Sequence, residues 1–337
     1  MDGPVMRESL RRLGFEDPNK GLKLGFGTAG IGNLYRERTD EQSLQVLQEA
    51  FEHGARYFDT APHYGLGLSE RRIGSWLRAS GVREDLVIST KVGRLLVPQD
   101  NPHGVLDNEG YAVAADAVRK WDPSESGVRR SLEASLERLG TDHIEIAYLH
   151  DPDCYDLQEG IEQALPALVK LREEGVVKAI GVGVNSVQAA TECVRAADLD
   201  LVMLAGRYTL LEQPAAHELL PLCVEREVGV VNVGVYNSGL LASPVVSDQA
   251  NYNYQQASQG LIQRARDLAD LATSYGTNLP TLAVQFAKRH PSIVSLVLGA
   301  SSAQQVRENA RRYSQDVPPV IWNLLAERVD LSAQVCQ

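Results

Sequence analysis

Several common classes of protein are excluded by what this sequence lacks. It has only 4 cysteines in 337 residues, at positions 154, 193, 223 and 336, and no CxxC. That spacing fits neither a zinc site nor a disulfide framework, and thiols left inert in a reducing cytosol are expected. Positive charge is in deficit, with 33 Lys and Arg against 44 Asp and Glu, a net charge of −11. Binding phosphates takes a basic face, which argues against nucleic acid and anionic membrane surfaces as partners. No apolar run reaches the ~20 residues needed to span a bilayer. Met1 to Lys20 is mixed and polar with no apolar core, so no signal peptide is expected and a cytoplasmic location is. Aromatics make up only 6% of the chain, so the core must be largely aliphatic. There is no Pro/Ser-rich linker and no long internal repeat.

What is present is a rhythm. Short apolar runs alternate with segments whose apolar residues recur at helical spacing. Leu22 to Phe26 predicts a strand ending in a Gly-Thr turn. Thr39 and Gln42 form a capping box, and Leu44, Leu47, Ala50 and Phe51 follow at helical spacing. Further strands are predicted at Arg56–Asp59, Asp85–Lys91 and Asp142–Leu149, then at four more places down to Ile293–Leu298. Helices are predicted between them, for example Ser124–Leu139, stopped by Gly140, and Ile161–Glu174, stopped by Gly175. Residues 93–123 show no regular pattern and read as a long loop after the third strand. Val320 to Leu331 predicts an extra C-terminal helix. Strands each followed by a helix imply a parallel sheet buried on both faces. About eight such units fit an α/β fold of the (β/α)₈ TIM-barrel kind. The expectation is one domain over residues 21–337, preceded by an extension over residues 1–20.

Gly25-Phe26-Gly27-Thr28-Ala29-Gly30 matches the dinucleotide fingerprint GxGxxG. In a doubly wound fold that turn runs straight into a helix. Here residues 31–38 intervene before the capped helix, so the glycines are expected to shape a barrel loop or admit a ligand close to the backbone.

In a barrel the carboxyl ends of the strands face one site. Reading them off gives Asp59, Lys91 and His150, with Tyr64 in the turn after Asp59. Each alone has a bland reading as a cap, a solvated charge or a structural histidine. On successive strand ends the fold would aim them at one another. A phenol ionises near pH ~10 unless a nearby cation favours the phenolate. Lys91 supplies such a cation and Asp59 can hold it in place. Tyr64 is then a candidate general acid or base, and His150 a group that orients a substrate oxygen. Three metal ligands do not converge and no nucleophile elbow is present. Proton transfer at a carbonyl without either suggests hydride transfer to or from a nicotinamide.

The stretches Phe58-Asp59-Thr60-Ala61-Pro62-His63-Tyr64-Gly65, Ser89-Thr90-Lys91 and Leu149-His150-Asp151-Pro152-Asp153 resemble the aldo-keto reductase superfamily. The segment Ser131 to Gly140 adds to the likeness. That resemblance implies a (β/α)₈ barrel and a catalytic tetrad of Asp59, Tyr64, Lys91 and His150. Ile180 to Asn185, Ala205 to Leu211 and Asn237 to Ala242 resemble the branch of sugar and pyridoxal dehydrogenases, which act on D-threo-aldoses, L-fucose or pyridoxal. The implied activity is oxidation of a small-molecule aldose hemiacetal to a lactone. Alternatives are pyridoxal oxidation to a pyridoxolactone, general NADPH-dependent aldehyde reduction, and a nucleotide-sensing regulatory subunit. A monomer or small homo-oligomer is expected.

The resemblance also implies a dinucleotide site. Gly27, Thr28, Asp59, Asn185, Ser238, Gly239, Leu240, Gly299, Ser301, Gln305 and Asn309 are the expected cofactor residues. Gly183-Val184 and Ala205 replace residues that family members commonly use for the carboxamide, and Asn185 is the expected substitute. Family members that prefer NADP commonly carry a Lys or Arg in the last of these segments. This chain has Gly299, Ser302 and Gln305 there, so NAD is the expected preference over NADP. His63 and Trp121 are candidates for the substrate pocket.

Overall fold

The computed structural model describes residues 6–101, 103–253 and 255–328. Cys336, the end of the predicted C-terminal helix at Leu331 and the first five residues lie outside them. Eight parallel strands close into a barrel: β1 Leu24–Gly27, β2 Tyr57–Asp59, β3 Val87–Val92, β4 Ile146–His150, β5 Ala179–Val184, β6 Leu201–Ala205, β7 Gly229–Val233 and β8 Ile293–Gly299. Each strand pairs with its sequence neighbours and β8 closes on β1, Leu24 beside Leu296. The order follows from parallel strands joined by helical crossovers, which return the chain to the same edge each time.

The capping signals act as they read. Thr39 Oγ1 accepts from Gln42 N at 3.2 Å and Gln42 Oε1 accepts from Thr39 N at 3.2 Å, opening the helix Asp40–Glu52. Ser124 caps Glu125–Leu139, and Gly140 ends it in the left-handed conformation at φ 63°. The layer between strands and helices is aliphatic, with Leu47, Ile73, Ile88, Val128, Leu168 and Leu282 fully or nearly fully buried.

Three segments differ from the sequence expectation. Residues 93–123 are not irregular: Arg94–Pro98 pairs antiparallel with Ala117–Trp121. An excursion over 99–116 separates the two strands, and both are mostly half-buried or exposed, which hid the pairing. The excursion returns across the barrel mouth, where Tyr35 N donates to Gly110 O at 2.8 Å and Ala112 N to Asn33 O at 2.9 Å. The helix expected over Ile161–Glu174 is interrupted, with a wide turn over Gly160–Ala164 before the α-helix Leu165–Glu173. Pro166 has no N–H to carry the α pattern across that point.

The third is the N-terminal segment, which forms a helix, Glu8–Leu13. Leu10 and Phe15 are fully buried against Tyr57, Ile146, Leu201 and Val294 at the barrel's base. Phe15 meets the Tyr57 ring edge-on at 5.7 Å. Phe15→Ala is expected to cost about 3–5 kcal/mol of stability, the range for emptying a buried aromatic site. Urea unfolding at unchanged m measures it, and a loss under about 1 kcal/mol would show that this segment does not seal the base.

Candidate active site

Asp59 ends β2, His150 ends β4, and Lys91 lies one residue from the end of β3, so closure of the barrel brings all three to one mouth. Tyr64 reaches the same place from the turn after β2. That turn is fixed by Tyr64 N donating to Ala61 O at 3.1 Å and Gly67 N to Pro62 O at 2.8 Å. Gly65 sits at φ 64°, and a Cβ there would fall 2.2 Å from Gly32 O. Only glycine permits this approach, which presses the Tyr64 turn against the loop after β1.

Lys91 and Asp59 are 2% and 3% exposed. Lys91 Nζ donates to Asp59 Oδ2 at 2.7 Å, Asp59 Oδ1 at 2.9 Å and Thr60 O at 2.9 Å. It also donates to Tyr64 Oη at 3.1 Å. Ser89 Oγ donates to Asp59 Oδ1 at 2.7 Å. Burial pushes the Asp59 carboxyl up, while the Lys91 ammonium and these hydrogen bonds pull it back. Below them the Tyr57 and Tyr148 hydroxyls meet at 3.0 Å, and burial raises both phenols, keeping them protonated.

His150 stands edge-on to Tyr64 at 6.1 Å and to His63 at 5.5 Å. Burial, then the Arg94 and Lys91 cations, hold the His150 imidazole well below its ordinary range. The same causes, with Arg119, push His63 down to about 2. Both rings are therefore neutral in the working range. Arg119, on the hairpin, fixes His63 by donating to its carbonyl at 3.0 Å while paired with Asp107 at 2.6 and 3.0 Å.

Two adjoining cavities open over this cluster. One, of about 490 Å³, is lined by Gly27, Thr28, Asp59, Tyr64, Gly239, Gly299, Ser301 and Gln305, all of them expected site residues. The other, of about 770 Å³, holds His63, Tyr64, Lys91, His150 and Asn185. Tyr64 lines both. The remaining expected residues lie elsewhere. Leu240 is buried and lines neither cavity. Ser238 precedes the lining Gly239 without lining a cavity itself. Asn309 lies behind the wall, accepting from Tyr236 Oη at 2.7 Å and donating to Gly299 O at 3.3 Å. Trp121 also lines neither cavity. Its ring stacks on Tyr155 at 5.0 Å and its Nε1 donates to Glu159 at 2.8 Å.

The structure adds residues the sequence reading missed. Arg36 and Arg38, from the loop after β1, line the smaller cavity. Arg38 donates to Gly30 O at 3.0 Å and to Ser301 O, and exposed Arg36 to Ser301 Oγ at 3.2 Å. The absence of a cation near residues 299–305 therefore holds along the chain but not in space. Arg94, Tyr111, Asp151 and Tyr155 line the larger cavity. The signal for two of them was available, since Arg94 follows Lys91 by three residues and Asp151 adjoins His150.

The smaller cavity suits a dinucleotide. Gly27, Gly30, Gly234, Gly239 and Gly299 give it walls of bare backbone, and a Cβ at Gly30 would stand 3.0 Å from Ala300 O.

Neutral buried histidines make stability depend on pH. Free imidazole protonates near pH ~6.5. Below that the unfolded chain takes up protons that folded His63 and His150 refuse, so stability falls as pH drops. His63→Gln is expected to reduce that slope by up to about 1.4 kcal/mol per pH unit. Urea unfolding between neutral pH and pH ~5 measures it, and an unchanged slope would contradict a neutral His63.

Several known proteins are similar to this chain. A D-threo-aldose 1-dehydrogenase of Pseudomonas sp is 45% identical over 306 residues, 90% of this chain and 93% of that protein. A pyridoxal 4-dehydrogenase of Microbacterium luteolum is 37% identical over 319 residues, 90% of this chain and 92% of that protein. The holo form of an aldo-keto reductase from Bacillus halodurans superposes with a TM-score of 0.69 at 25% identity, covering 91% of each chain. The pattern that defines the Aldo/keto reductase family matches residues 23–321, from the first barrel strand into the last helix, and the chain belongs to that family.

Proposed function

We propose that this oxidoreductase oxidises the hemiacetal carbon of an aldose to a lactone, with Tyr64 as the general base. The observation that carries the reading is the Lys91 ammonium, bound by both Asp59 oxygens and placed 3.1 Å from Tyr64 Oη. A bound nicotinamide would supply the hydride acceptor, held by the glycine-walled cavity that Tyr64 shares with the substrate space. The anomeric hydroxyl gives its proton to Tyr64 Oη. Lys91 stabilises negative charge on that oxygen, and Asp59 keeps Lys91 in place. The neutral His150 imidazole orients the reacting oxygen by a hydrogen bond. Asn185, Gly239, Gly299, Ser301 and Gln305 are proposed as cofactor contacts.

NAD is proposed as the preferred nucleotide. Gly299, Ser302 and Gln305 bring no charge, Arg38 is committed to two carbonyls, and Arg36 is exposed, where its attraction is screened. Oxidation of pyridoxal to its lactone is a second reading, favoured by the Tyr111, Tyr155 and His63 rings around the larger cavity. We further propose a cytoplasmic monomer or small homo-oligomer. Among the described residues no helix is long and apolar enough to cross a membrane.

A panel of aldoses and pyridoxal with NAD and NADP, followed by absorbance of the reduced cofactor, tests the substrate. The highest kcat/KM is expected for an aldose with NAD, and a higher value for pyridoxal would replace this reading with the second. Arg36→Ala is expected to widen the gap between NAD and NADP, and NADP outperforming NAD would overturn the cofactor preference. Tyr64→Phe is expected to lower kcat by about 10²–10⁴-fold, the scale of one acid–base group, and full turnover would sink the role given to Tyr64.

A further inference from the structure

The larger cavity contains a polar pair beside the proton-transfer site, with Asp151 Oδ2 3.4 Å from His150 Nε2. Arg94 follows β3 at the start of the hairpin, and Asp151 follows β4 directly after His150. Arg94 Nη2 donates to Asp151 Oδ2 at 2.7 Å. Arg94 is only 5% exposed, yet its Nε has no hydrogen-bond partner. A buried guanidinium with an unused donor is costly unless something fills it.

The pair is built to stay where it is. The Arg94 guanidinium lies over the Tyr155 ring at 5.3 Å, and Tyr155 is stacked on Trp121 at 5.0 Å with the rings 4° from parallel. Asp151 adopts a left-handed backbone at φ 41° and ψ 58°, held by its N–H donating to Gly183 O at 2.9 Å. That conformation is uncommon for a non-glycine residue and turns the chain back into the cavity beside His150. Trp121 thus acts from behind Tyr155, without touching the cavity.

We propose that Arg94 and Asp151 form the hydroxyl-recognition site of the substrate cavity, gripping two neighbouring hydroxyls of a polyhydroxylated substrate. One hydroxyl donates to Asp151 and its neighbour accepts from Arg94, a pairing that adjacent sugar hydroxyls satisfy and a simple aldehyde does not. The pair carries no net charge, so an anionic substrate gains little from Arg94 without being repelled by Asp151. Tyr111 and Tyr155 line the same cavity and add apolar surface to it. This inference rests on the aldose reading and names the groups that would select the sugar.

The test compares native protein, Asp151→Asn and Arg94→Gln on three probes. They are L-fucose oxidised with NAD, 2-deoxy-L-fucose oxidised with NAD, and 4-nitrobenzaldehyde reduced with NADH. Asp151→Asn is isosteric, and NADH fluorescence on binding shows that each variant is folded. The ratio of kcat/KM for L-fucose over 4-nitrobenzaldehyde is expected to fall at least about tenfold in both variants, the loss of one hydrogen bond to a charged group. The penalty for removing the 2-hydroxyl is expected to shrink in at least one variant, since a shared contact makes the two changes non-additive. An unchanged ratio, with L-fucose and the aldehyde losing equally, overturns the pair's recognition role and leaves the aldose reading standing. Native protein that reduces 4-nitrobenzaldehyde but oxidises neither sugar overturns both.

Discussion

Lys91 and Asp59 are an ion pair taken out of water at the mouth of the barrel, and the rest of the site depends on it. Each charge alone would cost several kcal/mol to bury, and removing one partner of such a pair typically costs about 3–5 kcal/mol. The fold meets that cost with short contacts: both Asp59 oxygens, the Thr60 carbonyl and the Ser89 hydroxyl. What remains of the ammonium's hydrogen-bonding capacity is directed at Tyr64. The phenol therefore faces a fixed positive charge with little water to screen it. Burial first, and then the cations Arg94, Lys91 and Arg119, keep His150 and His63 neutral.

The barrel explains why the pair can exist there. Parallel strands put Asp59, Lys91 and His150 at one end, and the backbone contact between Gly32 and Gly65 brings Tyr64 over them. A side chain at Gly65 would lift the Tyr64 turn away from Lys91. The paired loops 33–35 and 110–112 then cross the mouth and divide a glycine-walled trough from a polar, aromatic chamber. Tyr64 lines both spaces, as the proposed proton transfer requires of it.

Much of this was legible in the chain. The βα rhythm predicts the closed barrel because hydrophobic periodicity is a local signal that parallel burial leaves intact. Asp59, Lys91 and His150 could be read as strand ends, and the capping box at Thr39 places its helix to the residue. The hairpin over residues 94–121 was hidden because its strands are joined through a long excursion and half exposed. Arg36 and Arg38 were missed for a different reason. They reach Ser301 across 265 and 263 residues of chain, and no local pattern encodes that contact. Trp121 is a candidate pocket residue on sequence, but its ring stacks behind Tyr155, a choice that depends on how the hairpin folds back.

The central claim is that the Lys91 charge governs the ionisation of Tyr64. The most direct test is the pH dependence of kcat/KM for sugar oxidation in native protein and in Lys91→Met. The rising limb of that profile reports ionisation of the base. The account predicts that losing the ammonium lowers the plateau and moves the limb to higher pH by about one unit or more. A Lys91→Met variant whose limb stays in place would contradict it.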